Sequence, residues 1–381
     1  MEETTTTTTK RQRLHPPQVT HIPLDLVTEI LCRLPVKFLM QFRCVCKSWN
    51  NLISNDLKFA KKHLSLSTKR KHLIKTTWSP VGKLNVMSYP LNSLQLDSIF
   101  TTFPRQLEYS SISPKYSNNF IASCDGLLCF AIDHRRAFLL NPCIKKLKEL
   151  PSLEIPQENG YTRYAFGYDP FIHNYKVVSV FSYDLGYDDI HANGCKTQVN
   201  VHTLGTHSLR RIKDFPSLFP HNEPGIIVNG AANWFAYSMS GNFSSVIVSL
   251  DLEKECYQEI PQPNYGIEDN LTLGTMRDCL CVFSRSYSFN DVWLMKEYKN
   301  KESWIKLIRL PRFSNPLLFH DDATIIYISE DDNHVLLSVN GFPNTKWLVF
   351  YIHLNNTINS LQIPIELRVN SKVYVESLIS P

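Results

Sequence analysis

Residues 21–64 read HIPLDLVTEILCRLPVKFLMQFRCVCKSWNNLISNDLKFAKKHL, and their spacing is helical. Ile22, Leu26, Ile30, Leu31 and Leu34 fall on one stripe at the 3.6-residue repeat. Pro23 suits a first helical position, where its missing N–H has no intrahelical partner to lose. Asp25 and Glu29 bring negative charge toward the positive N-terminal end. Pro35 stops this helix, because it pushes Leu34 out of the α region. A second run, Val36 to Val45, carries Val36, Leu39, Met40 and Phe42; a third, Lys47 to Ser54, carries Trp49, Leu52 and Ile53. A three-helix module confined to residues 20–66 is too small for a robust core of its own. Its surplus apolar side chains must cap the larger remainder of the chain or dock on another protein.

Outward from this module the composition changes. Residues 1–75 of the 381 contain 14 Lys/Arg and 5 Asp/Glu, a net of +9, whereas the rest nets −4. The overall +5 describes neither part. A nucleic-acid binder would carry its basic footprint across its fold, so no nucleic-acid partner is expected. Residues 1–19, with six consecutive Thr followed by Lys10, Arg11 and Arg13, read as a disordered tail without the apolar core of a secretory signal. No stretch approaches the roughly 20 apolar residues of a membrane-spanning helix. Ten Cys are scattered, several in apolar runs such as Leu128-Cys129-Phe130 and Leu280-Cys281-Val282, as reduced thiols buried like small hydrophobes are. Cys44-x-Cys46 matches no standard zinc spacing, and neither a metal site nor a cofactor is expected. Cytoplasm or nucleus is the expected location.

From about residue 67 to 381, β-branched and aromatic runs separated by Pro and Gly replace the helical period. A loose repeat emerges: the strands FLLN, VNVH, VIVSLD, VWLM and LVFYIH are each followed by a polar turn and a charged strand. Leu139, Val201, Ser249, Met295 and Tyr351 mark them at separations of 62, 48, 46 and 56 residues. Several strands per 45–50 residues point to propeller blades. The fold class is α+β by domain, a small helical module followed by an all-β propeller of six blades, with five as the alternative. The segment from Lys71 to Asp97 reads as an incomplete blade, and the C-terminal VYVESLIS is expected to supply its missing strand and close the ring.

No G-x-S-x-G elbow, phosphate-binding glycine loop or H-E-x-x-H helix occurs. The acid pairs Asp188-Asp189, Asp321-Asp322 and Asp331-Asp332 read as polar loop tips. Trp234, Trp293, Trp304 and Trp347 read as packing between blades. The better candidates for recognition are loops that mix aromatics with charge: Tyr183, Tyr187, Asp188 and Asp189 in one, Arg285, Tyr287 and Phe289 in another. The acidic balance of the region suggests a basic partner.

The string I-P-x-D-L-V-x-E-I-L-x-R-L-P-V-K-x-L-x-x-F-R-C-V-C-K-S-W-N-x-L-I-S closely resembles the F-box of plant F-box proteins. The resemblance implies docking to the Skp-type adaptor of an SCF (Skp–cullin–F-box) ubiquitin ligase. By position, Ile22, Pro23, Leu26, Ile30, Leu31, Leu34, Pro35 and Val36 are the implied adaptor contacts, while Phe42, Val45, Trp49 and Ile53 are the implied core of the module. Phe38 stands where the family usually has a smaller residue, and would enlarge the contact or fill the core.

The β region resembles the F-box-associated domain through Asp125-Gly126-Leu127-Leu128-Cys129, Asn141-Pro142, Phe166-Gly167-Tyr168-Asp169, Val228-Asn229-Gly230, Trp293-x-Met295-Lys296-x-Tyr298, Ser303-Trp304-x-Lys306 and Tyr374-Val375-Glu376-Ser377-Leu378. The Gly-Gly doublet of a kelch repeat is missing, so "kelch-like" rests on blade architecture alone. The implied role is a non-catalytic adaptor that docks to Skp, and through it to cullin and RING subunits, and presents a protein substrate. The alternatives are an F-box scaffold or decoy outside a ligase, and a propeller enzyme or lectin with a small ligand.

Overall fold

The computed structural model describes residues 22–67, 70–78, 84–91, 105–109, 120–156, 160–184, 195–216, 220–221, 223–237, 245–266, 270–286, 289–311, 318–341, 345–352, 357–365 and 370–381. The Thr-rich tail and the loop residues Tyr187, Asp188, Asp189 and Tyr287 lie outside them.

The chain begins with α1 (Leu24–Leu31), α2 (Val36–Phe42) and α3 (Lys47–Asn55). Pro23 and Pro35 are the residues just ahead of α1 and α2, both with extended ψ near 140°, so each proline sets an entry angle. Pro23 thus stands one position before the first helical residue and not in it. Helices α1 and α2 end earlier than their apolar runs because the chain tightens into i→i−3 bonds, Leu34 N–H to the Leu31 carbonyl and Val45 N–H to the Phe42 carbonyl.

A fourth helix, α4 (Leu57–Ser67), follows in a lysine-rich stretch, where the sequence suggests three helices in the module. Asp56 caps it, its carboxylate accepting from the Phe59 N–H at 2.9 Å. Phe59, Ala60 and His63 form its buried stripe, which the surrounding lysines obscure in the sequence.

Twenty-four strands follow among the described residues. The first unit holds β1 (Lys71–Trp78), β2 (Leu84–Pro90) and β3 (Arg105–Tyr109). The second holds β4 (Phe120–Cys124), β5 (Leu127–Ala131), β6 (Ala137–Asn141) and β7 (Lys146–Glu149). The third holds β8 (Tyr161–Asp169), β9 (Asn174–Asp184), β10 (Cys195–Thr203) and β11 (Leu209–Ile212). The fourth holds β12 (Gly225–Val228), β13 (Ala231–Tyr237), β14 (Ser245–Asp251) and β15 (Tyr257–Ile260). The fifth holds β16 (Asn270–Met276), β17 (Cys279–Arg285), β18 (Phe289–Met295) and β19 (Trp304–Pro311). The sixth holds β20 (Leu318–Ile328), β21 (His334–Gly341), β22 (Thr345–Ile352) and β23 (Thr357–Ile365). The final strand, β24 (Asn370–Val375), pairs antiparallel with β1 and completes the first unit, as the C-terminal sequence suggests.

Every unit is an antiparallel four-stranded meander. The third and fourth are joined into one sheet by a short parallel contact, Gly225 beside Ala165 and Ile226 beside Phe166. The repeated strands read from the sequence are β6, β10, β14, β18 and β22, the third strand of each unit from the second onward.

First strands meet one another in succession: β24 with β4, β4 with β8, β8 with β12, β12 with β16, and β20 with β24. They form the inner ring. Because all units run the same way, turns between first and second strands share one end of the ring. Turns between second and third strands, and the links between units, share the other.

The helices sit at the first of these ends. Leu31, Cys32, Val36, Leu39, Ile53, Phe59 and Ala60 belong to one apolar cluster with Leu127, Phe130, Phe138, Leu140, Tyr374 and Ile379. The helical module and the β domain thus share a core, which resolves the shortage of apolar burial in so small a module.

The strings that carry the family resemblance build this scaffold. Asp125 and Gly126 both have positive φ (51° and 81°) and make the β4–β5 turn, while Asn229 and Gly230 (50° and 71°) make the β12–β13 turn. The fully buried Asn141 donates to the carbonyls of Ser377 (3.0 Å) and Ile379 (2.7 Å) and accepts from the Cys143 N–H, fastening the C-terminus to the second unit. Tyr298 donates to Asn233 at 2.6 Å, linking the fifth unit to the fourth. Trp304 donates to the Pro261 carbonyl at 2.8 Å, and Trp234 is buried, both consistent with packing roles.

Candidate docking surfaces at the two ends of the propeller

The implied adaptor contacts divide into two groups. Ile22, Leu26 and Ile30 are 64%, 56% and 59% exposed, and Pro23 is exposed beside them. Leu24 and Phe38 are exposed as well, at 55% and 46%. Phe38 therefore enlarges the exposed surface and does not fill the core. Leu31 and Val36 face the other way and are buried in the core shared with the propeller. Leu34 and Pro35 are half-buried, and the Leu34 carbonyl is bonded by the His63 ring at 2.9 Å.

Leu31 and Val36 are thus not exposed as surface contacts, because both are buried in the core that the helices share with the β domain. Val45, implied as core, is 59% exposed, whereas Ile53 is buried and Phe42 and Trp49 pack edge to face at 5.8 Å.

The joint between helices and propeller is polar at its rim. The Val36 N–H donates to Glu376 at 3.3 Å, the His72 ring lies 3.4 Å from the same carboxylate, and Arg70 donates to the Arg33 carbonyl at 3.1 Å. Burial pushes the Glu376 carboxyl up, but His72, the Val36 N–H and Arg70 outweigh it and hold the carboxyl below its usual range. Burial lowers the His63 pKa, and its bond to the Leu34 carbonyl only partly opposes this, so a neutral ring donating through Nε2 fits the site. Lys61 reaches from α4 to the His173 carbonyl at 3.4 Å, in the β8–β9 turn.

The described residues of the stretches singled out for recognition are at the end of β9, the end of β17 and the start of β18. Tyr183 is half-buried and stacks on Phe181 at 5.6 Å. Arg285 is half-buried at the end of β17; Phe289 is 39% exposed, with the Arg309 guanidinium 4.5 Å from its ring centre. Arg309 and Lys306 both bond Asp291, at 2.7–2.8 Å and 2.6 Å. The two loops belong to the third and fifth units, and no described contact joins Tyr183 to Arg285 or Phe289.

Sequence reasoning missed a cluster drawn from three consecutive units. His134 meets the Tyr161 ring edge-on at 5.7 Å, and the Arg163 guanidinium lies 5.5 Å from that ring. Arg163 donates to the His221 carbonyl at 3.1 Å, and His221 packs on Tyr237 at 4.4 Å. These residues lie as far apart as positions 134 and 237, so no local pattern signals them. Among the described residues, no group of three or more His, Cys, Asp or Glu could hold a metal ion, and no helix is long and apolar enough to cross a membrane.

Two family models match the chain. The sequence model of the F-box domain matches residues 19–61, and that of the F-box associated beta propeller domain matches residues 80–381. The chain is 30% identical over 378 residues to the F-box/kelch-repeat protein At3g23880 of Arabidopsis thaliana, covering 95% of this chain and 96% of that one. It is 26% identical over 364 residues to the F-box protein CPR1 of Arabidopsis thaliana, covering 90% and 84%. The chain therefore belongs to the F-box associated beta propeller domain family and carries an F-box domain ahead of its propeller.

Proposed function

We propose that the chain is the substrate-recognition subunit of an SCF ubiquitin ligase, acting in the cytoplasm or nucleus. The supporting observation is the row of apolar side chains left exposed on α1 and α2. Ile22, Leu24, Leu26, Ile30 and Phe38 are exposed, while Leu31, Val36 and Leu39 are buried in the core shared with the propeller. Covering one Leu, Ile or Phe side chain contributes about 1.5–3 kcal/mol, so five such residues make a credible seat for a Skp-type adaptor. Cullin and RING subunits follow through that adaptor.

The mechanism is proximity. A substrate held on the propeller keeps its lysines near the activated ubiquitin, so that transfer becomes effectively intramolecular. The shared core supports this role, since a docking module packed on the propeller presents substrate at a fixed distance. The chain supplies no nucleophile in this scheme and works as a non-catalytic adaptor.

The test is copurification of the Skp adaptor and cullin with the full chain. Leu26→Asp with Ile30→Asp abolishes both without changing the melting temperature. Retention of cullin by that double variant removes the reading. Capture of the adaptor without cullin favours a scaffold or decoy outside the ligase.

A further inference from the structure

A cavity of about 560 Å³ lies between the link that leaves the second unit and the two outer strands of the third. One wall is the link from β7 to β8, through Pro151, Ile155 and Pro156. The other is the β10–β11 hairpin, through Gln198, Asn200, Leu209 and Arg211. None of the lining residues belongs to the exposed row on α1 and α2 or to the cluster around Tyr161.

Strand pairing builds the polar side of this cavity. Asn200 and Arg211 are direct partners across β10 and β11, so their side chains stand on one face of the sheet. Gln198, two residues along, shares that face and donates to the Glu154 carbonyl at 2.7 Å, which holds the link against the hairpin. Asn200 is only 7% exposed, and its Nδ2 finds no hydrogen-bond partner among the described residues. A buried amide N–H without an acceptor is costly, and an oxygen placed in the cavity would supply one. Arg211 gives one guanidinium nitrogen to Asp214 at 3.2 Å and is otherwise exposed. Its planar fork of donors matches the geometry of a carboxylate.

The opposite side is apolar. Pro151, Ile155 and Pro156 on the link face the same space as Leu209 on the hairpin. An apolar lining with a few placed polar groups, at this volume, is the build of a small-molecule site. Arg211 is already shared with Asp214, and Glu154 on the lining is exposed, so the site balances one added negative charge and opposes a second.

We propose that this cavity binds a small organic acid with a single carboxylate and an apolar body. The carboxylate accepts from Asn200 Nδ2 and from the Arg211 guanidinium, and the apolar body lies against Pro151, Ile155, Pro156 and Leu209. Bound there, the acid ties the link to the third unit and steadies the joint between two blades. The proposal does not rest on the ligase reading.

Isothermal titration calorimetry on the full chain tests this with octanoate, octan-1-ol, octylamine and acetate. Octanoate binds. Octan-1-ol, which lacks the charge, binds at least about tenfold more weakly. Octylamine, with the opposite charge, and acetate, without the apolar body, do not bind. Arg211→Ala and Asn200→Leu each weaken octanoate binding by about tenfold or more. Ser152→Trp, at an exposed position on the cavity wall, abolishes it at an unchanged melting temperature. Asp214→Asn releases Arg211 from its ion pair and tightens it.

A folded chain that does not bind octanoate overturns the inference, and so does equal binding of octan-1-ol or octylamine. Octanoate binding that survives both Arg211→Ala and Ser152→Trp also overturns it, because the acid is then held elsewhere. Should Asn200→Leu fail to fold, those two variants at exposed positions carry the test.

Discussion

The backbone N–H of Val36, the first residue of α2, donates to the carboxylate of Glu376, which follows the last strand, at 3.3 Å and across 340 positions of sequence. A carboxylate at a helix N-terminus meets both an orphan donor and the positive end of the helix dipole. The same residue contacts His72, so one side chain joins the docking helices, the first blade and the chain's end. Glu376→Ala leaves these partners unsatisfied and costs about 1–3 kcal/mol, measurable by chemical denaturation. Glu376→Leu does no better, and an unchanged midpoint in both would show the joint to be apolar only.

Acid loosens this joint in two steps. The His63 pKa is depressed in the folded chain, so the unfolded chain takes up its proton first, and stability is lost as pH falls below about 6.5 through the folded value. Glu376 is also depressed, so its contribution holds above about 4.5 and is lost as pH falls below that through its folded value. Melting temperature against pH reads both. His63→Gln flattens the upper step and leaves the lower one.

Gly126 lies in the β4–β5 turn at φ 81°, and a Cβ there would meet the Ser377 Cβ at 2.4 Å. Gly126→Ala therefore combines left-handed strain with a clash against the C-terminal segment. The loss is about 2–4 kcal/mol by denaturant titration. Gly205, also at positive φ but with open space around it, shows the smaller cost of strain alone on the same substitution.

Asp169 and Lys176 form an ion pair at 2.6 Å, both nearly inaccessible, and Lys176 also donates to the Leu252 carbonyl of the next unit at 2.9 Å. Lys176→Met strands a buried carboxylate and destabilises by about 3–5 kcal/mol. Adding Asp169→Asn removes the stranded charge, keeps an acceptor for the Phe171 N–H, and recovers most of the loss. A double variant as unstable as the single one would mean that the Leu252 bond matters more than the pair.

On the docking side, Leu26 and Leu31 separate binding from folding although both lie on α1. Leu26→Ala reduces adaptor binding at unchanged stability, because the side chain is 56% exposed. Leu31→Ala costs about 2–5 kcal/mol, because the side chain is 1% exposed within the shared core. Calorimetric titration with the adaptor beside a denaturation curve distinguishes them.

What the sequence determined by itself is what short-range chemistry controls. The prolines at 23 and 35 set where α1 and α2 start, period and turn residues located the third strand of five units, and the C-terminal apolar run indicated the closing strand. Family strings such as Asp125-Gly126 and Asn141-Pro142 were legible because turns and buried amide caps tolerate few residue types. The buried stripe of α4 was hidden among lysines whose charged ends reach solvent.

Only the tertiary structure decided which apolar face of α1 and α2 stays open. The stripe from Ile22 to Leu34 looks continuous in one dimension, and the burial of Leu31 in the core shared with the propeller splits it. It likewise brought His134, Tyr161, Arg163, His221 and Tyr237 together from three units. Burial and long-range proximity are properties of the closed ring, and periodicity along a strand or helix carries no record of the partner across it.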